Sequence, residues 1–327
     1  MKAVYYEQYG NPEVLKTGTF KKPTPSDHEV IIEVGASSAN PVDTYFRSGV
    51  RPVSSFPKIP HFDVAGTIVE VGKEVRTFKK GDKVWGSNIK DGTACEYVSV
   101  DPALLFPLPE HISCVDGAAI AMPFLTAHLS LFYRARLQPK ETVLIYGGSG
   151  AVGHAAIQLA KYAQATVIAT AGDRKKAQLA KEAGADEVIL YKEKDVVKET
   201  NKLTNHHGVD VIIDMSLSEN IEQNLDVIRT AGRIVSVGSP KDNTPQLPWR
   251  KLNQKNAALL GVLVLSAPYN EYRKAGEEIT HLQQKRKILA HVAKTYPFLE
   301  AATAHQALEG REHEGNIVLV PDEKWSL

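Results

Sequence analysis

Val143-Leu144-Ile145-Tyr146-Gly147-Gly148-Ser149-Gly150-Ala151-Val152-Gly153, followed by a helix-compatible stretch through Lys161, is the run that decides the fold of this 327-residue chain. Val143 to Tyr146 predict a short buried strand, and glycines at 147, 150 and 153 stand between it and the helix. Such a loop lets main-chain N–H groups approach a pyrophosphate, whose charge the positive end of the helix dipole favours. Ser149, Gly150, Ala151, Val152 and Gly153 are therefore the candidate pyrophosphate contacts. A glycine pattern alone also fits a plain tight turn, so its surroundings matter. Downstream, strand-like runs at Thr166 to Thr170, Glu187 to Leu190, Val209 to Ile213 and Arg233 to Val237 alternate with helix-length segments. That alternation predicts an α/β doubly wound parallel sheet covered on both faces. Gly238 and Ser239 end the last of these strands at the carboxyl edge, where main chain can approach a cofactor.

A second reading of the same loop exists. Gly147-x-Ser149-x-Ala151 resembles the nucleophile elbow of α/β-hydrolases, with Ser149 as nucleophile and His305 or His313 as its base. The third glycine and the second αβ unit, Thr166 to Gly184, are features of a nucleotide loop and not of a hydrolase.

Outside this region the pattern changes. From residue 1 to about 120, short strand-like runs, Val30 to Val34, Gly66 to Val71 and Lys83 to Trp85, are separated by turn pairs and predict a compact antiparallel barrel. Beyond about residue 268 the chain reads as helical and closes with Asn316 to Val320, a strand that could return to the first domain. Length favours two domains, since single cores stop growing at roughly 250 to 300 residues. With 39 Lys plus Arg against 38 Asp plus Glu there is no surplus of cations for a phosphate backbone, so nucleic acid is not an expected partner. The start, Met1 to Glu7, turns acidic before an apolar core develops and does not read as a secretory signal. The most apolar stretch, taken as Ala257 to Pro268, is shorter than the roughly 20 residues of a membrane span. Cys95 and Cys114 lack CxxC spacing. A soluble, reduced, cytoplasmic protein is expected.

Asn40-Pro41-Val42-Asp43-Thr44-Tyr45 with Arg47-Ser48-Gly49, then Asp63-Val64-Ala65-Gly66, Gly81-Asp82-Lys83-Val84, the glycine loop through Lys161, and Gly315-Asn316-Ile317-Val318-Leu319 together resemble the zinc-independent quinone oxidoreductase (zeta-crystallin-like) branch of the medium-chain dehydrogenase/reductase superfamily. The resemblance spans nearly the whole chain. It implies a discontinuous GroES-like β-barrel domain, residues 1–123 and 268–327, a Rossmann NADPH-binding domain, residues 124–267, and an active cleft between them. Departures are His61-Phe62 for the usual Pro-Gly, Lys140 where a Gly commonly opens the nucleotide strand, and Asn316 for a usual Lys.

The resemblance also implies a reaction: hydride passes from NADPH to a quinone or a small α,β-unsaturated carbonyl compound. Asn40, Tyr45 and Thr126 would face nicotinamide and substrate, with Tyr45 and Asn40 as the catalytic candidates. Tyr45 either meets charge and proton demand on the accepting oxygen or only packs there. Asn40 is either a carboxamide-orienting donor or a turn residue before Pro41. Leu263 and Val264 either line the cleft or belong to the core. Zinc-dependent relatives need three protein ligands. Here Asn40 neighbours the position of their Cys, Phe62 stands at their His within His61-Phe62-Asp63, and Met122 at their third ligand, so no metal is expected. His61 is one step away; in an extended segment that step turns a side chain to the opposite face. A non-catalytic, NADPH-binding structural protein of the same fold is the alternative of another class.

Cofactor preference rests on Ala171-Gly172-Asp173-Arg174-Lys175-Lys176. NAD-dependent relatives carry an acid at the position of Ala171, where it holds the ribose hydroxyls and repels a 2′-phosphate. Gly172 gives a phosphate room, Lys176 and Tyr191 match the family's phosphate-binding positions, and Arg311 is offered as a third partner. Asp173 either repels that phosphate or caps the following helix. Finally, the apolar run Ala257 to Leu265 predicts a late strand able to pair with its copy, and a homodimer.

Overall fold

A computed structural model describes residues 1–240 and 242–321. In chain order its elements begin with β1 (Lys2–Tyr5), β2 (Lys16–Thr19), β3 (Val30–Ala39), α1 (Pro41–Ser48), β4 (Asp63–Val71), β5 (Lys83–Gly86), β6 (Tyr97–Val100), β7 (Leu105–Pro107) and α2 (Cys114–His128). They continue with β8 (Thr142–Ile145), α3 (Ala151–Tyr162), β9 (Thr166–Ala171), α4 (Arg174–Glu182), β10 (Glu187–Leu190), α5 (Val196–Leu203), β11 (Val209–Asp214), α6 (Leu217–Val227), β12 (Ile228–Ser236), α7 (Trp249–Lys255) and β13 (Ala258–Gly261). Last come α8 (Tyr269–Gln284), β14 (Val292–Pro297), α9 (Ala301–Gly310) and β15 (Asn316–Val320). The chain divides into two compact units, Met1–Met122 with Gly276–Leu327, and Pro123–Ala275. Both division points fall inside helices, α2 and α8.

In the second unit the six strands lie in the order β10-β9-β8-β11-β12-β13, and every pairing is parallel. Val143, Leu144, Ile145, Val211, Ile212 and Ile213 are fully buried, as expected of central strands covered on both faces. Counted from β8, this is the 3-2-1-4-5-6 Rossmann order, whose reversal between β8 and β11 puts the binding crevice at the carboxyl end of β8. The glycine loop leaves β8 there.

In the first unit the sheet runs β14-β15-β3-β4-β5-β7, with β6 also pairing β3. All of its ladders are antiparallel except β14 with β15, which is parallel. The late strand β15 pairs with β3, Ile317 opposite Ala39, so residues 279 positions apart in sequence share one ladder at the mouth of α1 (Ser38 Oγ donates to Ile317 O, 3.3 Å).

Four expectations need correcting. β14 was not anticipated, because Val292-Ala293-Lys294-Thr295 lacks a clean alternation. β12 starts five residues before Arg233 and ends at Ser236, so Gly238 and Ser239 lie beyond the strand. The apolar run 257–265 yields only a four-residue strand, β13, and then turns into a short 3-10 segment at Val264–Ser266. Lastly, residues 114–134 form a helical stretch of 21 residues long and apolar enough to cross a bilayer, which the sequence reading passed over. Buriedness of 83% over its apolar window marks it as a core helix.

Candidate functional site

The glycine loop has the local geometry a dinucleotide needs. Gly147 takes φ 63°, in the left-handed region. Gly150 caps α3, its N–H donating to Gly147 O at 3.0 Å. A Cβ on Gly153 would sit 2.1 Å from Gly147 O, so only glycine lets the helix start this close to the loop. Gly150 has no side chain with which to cap α3, and no acid occupies the first turn of that helix. The N–H groups of Ala151, Val152 and Gly153 are therefore main-chain donors at the positive end of a twelve-residue helix. Ser149 is buried in the loop, and Thr126 is buried on α2, its carbonyl accepting from Ser130 Oγ at 2.7 Å.

At the end of β9, Asp173 is the N-cap of α4: its Oδ1 accepts from Lys176 N at 2.9 Å. Tyr191 follows β10, half exposed, with its N–H on Ala171 O at 3.1 Å. A Cβ on Gly172 would meet Tyr191 Oη at 3.0 Å and Lys192 Cε at 3.4 Å, so Gly172 and Tyr191 come together and Lys192, which the sequence reading did not single out, joins them. Gly238 O accepts from Leu217 N, and Ser239 Oγ from Ser218 N, 3.0 and 3.1 Å, tying this segment to the start of α6. Leu263 is exposed, while Val264 is buried in the manner of a core residue. Arg311 belongs to the first unit, ending α9 at φ 52°. Lys140 holds φ 70°, the conformation that a glycine at this place adopts freely.

In the first unit, Asn40 follows β3 and caps α1, with Pro41 at the first helical position. Asp43 Oδ2 accepts from Asn40 N at 2.6 Å. The side-chain amide of Asn40 turns inward: Nδ2 donates to Asp63 Oδ2 at 2.8 Å and lies 3.5 Å from Ser38 O. Tyr45, one helical turn on, is partly buried. The Asp63 carboxylate is wholly buried and also accepts from Ser87 Oγ (2.5 Å) and Met122 N (3.1 Å). Burial pushes its pKa up to about 7, against the lowering effect of these three donors. Asp43 is likewise raised, first by burial and further by Asp63.

Behind Asp63 runs a hydrogen-bond chain with one possible direction. The buried Arg47 guanidinium can only donate, so His305 Nδ1 (3.2 Å) accepts and His305 carries its proton on Nε2. That proton goes to His61 Nε2 (2.9 Å), His61 Nδ1–H to Ser37 Oγ (2.9 Å), and Ser37 to Thr93 Oγ1 (2.7 Å). Thr93 donates to Asp63 O at 2.8 Å. Both imidazoles are neutral in this scheme, in accord with burial lowering His61 to about 3 and His305 well below its ordinary value. Arg47 also pairs with Glu309 and donates to Gly10 O. His61 is not in an extended segment as expected; its φ is 72°, and its ring is held by these two bonds. Phe62 is buried against Phe46, ring centroids 5.2 Å apart. With His305 engaged at both nitrogens and His313 bound to Tyr296 Oη (2.9 Å), neither histidine offered for a Ser149 hydrolase stands uncommitted.

Residues 151–281 match the zinc-binding dehydrogenase family and residues 26–110 the alcohol dehydrogenase GroES-like domain. Quinone oxidoreductase of Homo sapiens is 33% identical over 98% of both chains. Among solved structures, Escherichia coli quinone oxidoreductase complexed with NADPH superposes with a TM-score of 0.89 at 31% identity, covering 98% of this chain and 100% of the other. An NAD-dependent alcohol dehydrogenase gives 0.92 at 29%, with 98% and 100% covered, so backbone similarity alone does not separate the two cofactors. What separates the branches is the residues, and with Asn40, Phe62 and Met122 at the compared positions, this chain belongs to the zinc-independent quinone oxidoreductase branch of the medium-chain dehydrogenase/reductase superfamily.

Proposed function

We propose that this oxidoreductase uses NADPH and, without a metal, reduces a quinone or a small α,β-unsaturated carbonyl compound. The observation that carries the reading is the uncapped, acid-free first turn of α3 beside a position that only glycine can fill. Ser149, Gly150, Ala151, Val152 and Gly153 hold the pyrophosphate. Gly172, Lys176, Tyr191 and Arg311 receive the 2′-phosphate; Asp173 is spent as a helix cap, which removes the main objection to an anion at that strand end. Gly238, Ser239 and Leu263 approach the cofactor by main chain and apolar contact. Thr126, Asn40 and Tyr45 lie against nicotinamide and substrate, and the Tyr45 hydroxyl meets the negative charge that develops on the accepting oxygen. NADPH supplies the hydride. Asn40, Phe62 and Met122 offer neither thiolate nor imidazole, so rate enhancement comes from orientation and fixed dipoles.

NADPH oxidation followed at 340 nm (roughly the reduced nicotinamide band) against a panel of quinones and enones tests this. Turnover of members of the panel is expected; tight NADPH binding with no turnover would replace the enzyme by a binding protein. One tightly held zinc per chain by elemental analysis would overturn the metal-free mechanism. The dimer belongs to the same proposal: β13 is the edge strand of its sheet, with half-buried Ala258, Leu259 and Leu260, and it pairs with its copy. Light scattering should give twice 35.8 kDa. Free Cys95 and Cys114 fit a reducing, cytoplasmic compartment.

A further inference from the structure

One buried carboxylate remains without a task in that mechanism. Asp63 opens β4, and among the described residues no cation pairs with it; it receives three donors, Asn40 Nδ2 and Met122 N on Oδ2 and Ser87 Oγ on Oδ1. Two of the three, the amides, can only donate. The position therefore calls for an acceptor at Oδ2, where both amides point, while the Ser87 hydroxyl can take either role at Oδ1. This arrangement also selects one of the two orientations of the Asn40 carboxamide. A flipped carboxamide would set Oδ1 against Asp63 Oδ2 at the 2.8 Å now spanned by a hydrogen bond, acceptor against acceptor. With Nδ2 committed to Asp63 and the Ser38 carbonyl, the only polar atom of the Asn40 side chain able to take a further partner is its carbonyl oxygen, which faces Asp43 N in the capping box of α1 and keeps a second lone pair. The one-way chain from Arg47 through His305, His61, Ser37 and Thr93 ends on the Asp63 carbonyl and holds the carboxylate from behind.

We propose that Asp63 is a positioning residue: it locks Asn40 so that Asn40 serves the reacting site as a hydrogen-bond acceptor, taking an N–H or O–H of cofactor or substrate, and not as a donor to the accepting oxygen. This rests on the placement of Asn40 at that site in the function proposed above, and it reverses the donor role that is one of the two readings of Asn40 from the sequence.

The test is an exchange of the two side chains. N40D sets two carboxylates face to face and should lower kcat by at least about 100-fold. In N40D/D63N the amide introduced at position 63 donates to the carboxylate introduced at position 40, which still shows an acceptor to the site, but it turns an N–H toward Met122 N, so recovery is partial and kcat should rise at least about threefold over N40D. D63N alone keeps an acceptor toward Asn40 and Met122 while its amide donates to a rotated Ser87, so kcat should stay within about threefold of the unaltered enzyme. D63L should lose about 30-fold or more in kcat with its NADPH dissociation constant, read by fluorescence, little changed, since the pyrophosphate loop is untouched. In the 15N-labelled, cofactor-free protein the Asn40 side-chain NH2 should exchange slowly with solvent, and lose that protection in D63L. Failure of the exchanged pair to improve on N40D, or an Asn40 amide signal indifferent to D63L, overturns the proposal. Absence of NADPH oxidation by the unaltered protein would overturn the proposed function instead, and the amide signal would still decide whether Asp63 sets Asn40.

Discussion

Gly153→Ala puts the cofactor loop to its sharpest trial. An exposed Gly→Ala change in a helix with room for a methyl stabilises by about 0.4 to 1 kcal/mol, chiefly by narrowing the unfolded ensemble. At 153 the sign reverses. The added Cβ would lie 2.1 Å from Gly147 O, 2.8 Å from Gly147 C and 3.1 Å from Gly148 Cα, all main-chain atoms that cannot swing aside. Reaching even a 3.0 Å contact requires 3.0 − 2.1 = 0.9 Å of movement between the loop and the first turn of α3. Gly147 O already accepts from Gly150 N at 3.0 Å, so a displacement of that size breaks the bond that shapes the loop. The same movement carries the N–H donors of 151–153 off a bound pyrophosphate. Loss of one such charge-assisted bond costs about 1.5 to 3 kcal/mol, or roughly 10- to 150-fold in the NADPH dissociation constant. Fluorescence titration with NADPH measures it, and thermal melting of the cofactor-free protein gives the accompanying loss of stability. Gly150→Ala is the stability control: φ is −73° and its nearest new contact is an ordinary 3.4 Å, so melting should stay where it is. A Gly153→Ala protein that binds NADPH within about threefold of the unaltered one would refute the reasoning.

Asp173→Ala removes the cap on α4 and should cost about 1 kcal/mol in chemical unfolding while leaving NADPH affinity unchanged; markedly tighter NADPH binding would mean the carboxylate had opposed the phosphate. Lys176→Ala should raise the KM for NADPH far more than that for NADH, because only the former carries the 2′-phosphate; equal effects on both would remove Lys176 from that site. Stability against pH separates two opposed buried groups. His61, lowered to about 3, contributes stability that is present above pH 6.5 and is lost as pH falls toward 3; Asp63, raised to about 7, contributes stability present below about pH 3.9 that is lost as pH rises through 7. Asp63→Asn abolishes the second contribution, so from pH 7 to 5 the variant should lose about 2 kcal/mol relative to the unaltered protein in urea unfolding, and parallel curves would refute the assignment.

Strict local patterns made the nucleotide unit legible in the sequence. A parallel strand buried on both faces is a short apolar run wherever it occurs, and the turn from β8 into α3 needs glycine for reasons confined to seven residues, Gly147 to Gly153, so the strands and the loop were readable before any packing was known. Two of the corrections turn on neighbours that local pattern does not show. β14 carries exposed Lys294 and Thr295 and is a strand because β15 lies beside it; the apolar run at 257–265 stops being a strand after Gly261 because only Ala258 to Gly261 find partners on β12. The candidate site shows the same boundary. Asn40, Tyr45 and the glycine loop could be named from motif alone, and Asp173 as a cap follows from its place before a helix. Which atom of the Asn40 amide meets the buried carboxylate was decided by Asp63 and Met122, and the proton direction through His61 by Arg47 and His305, partners up to 258 residues apart in the chain. A hydrogen bond's direction depends on every donor and acceptor around it, and those are assembled only when β3, β4, α1 and α9 pack together.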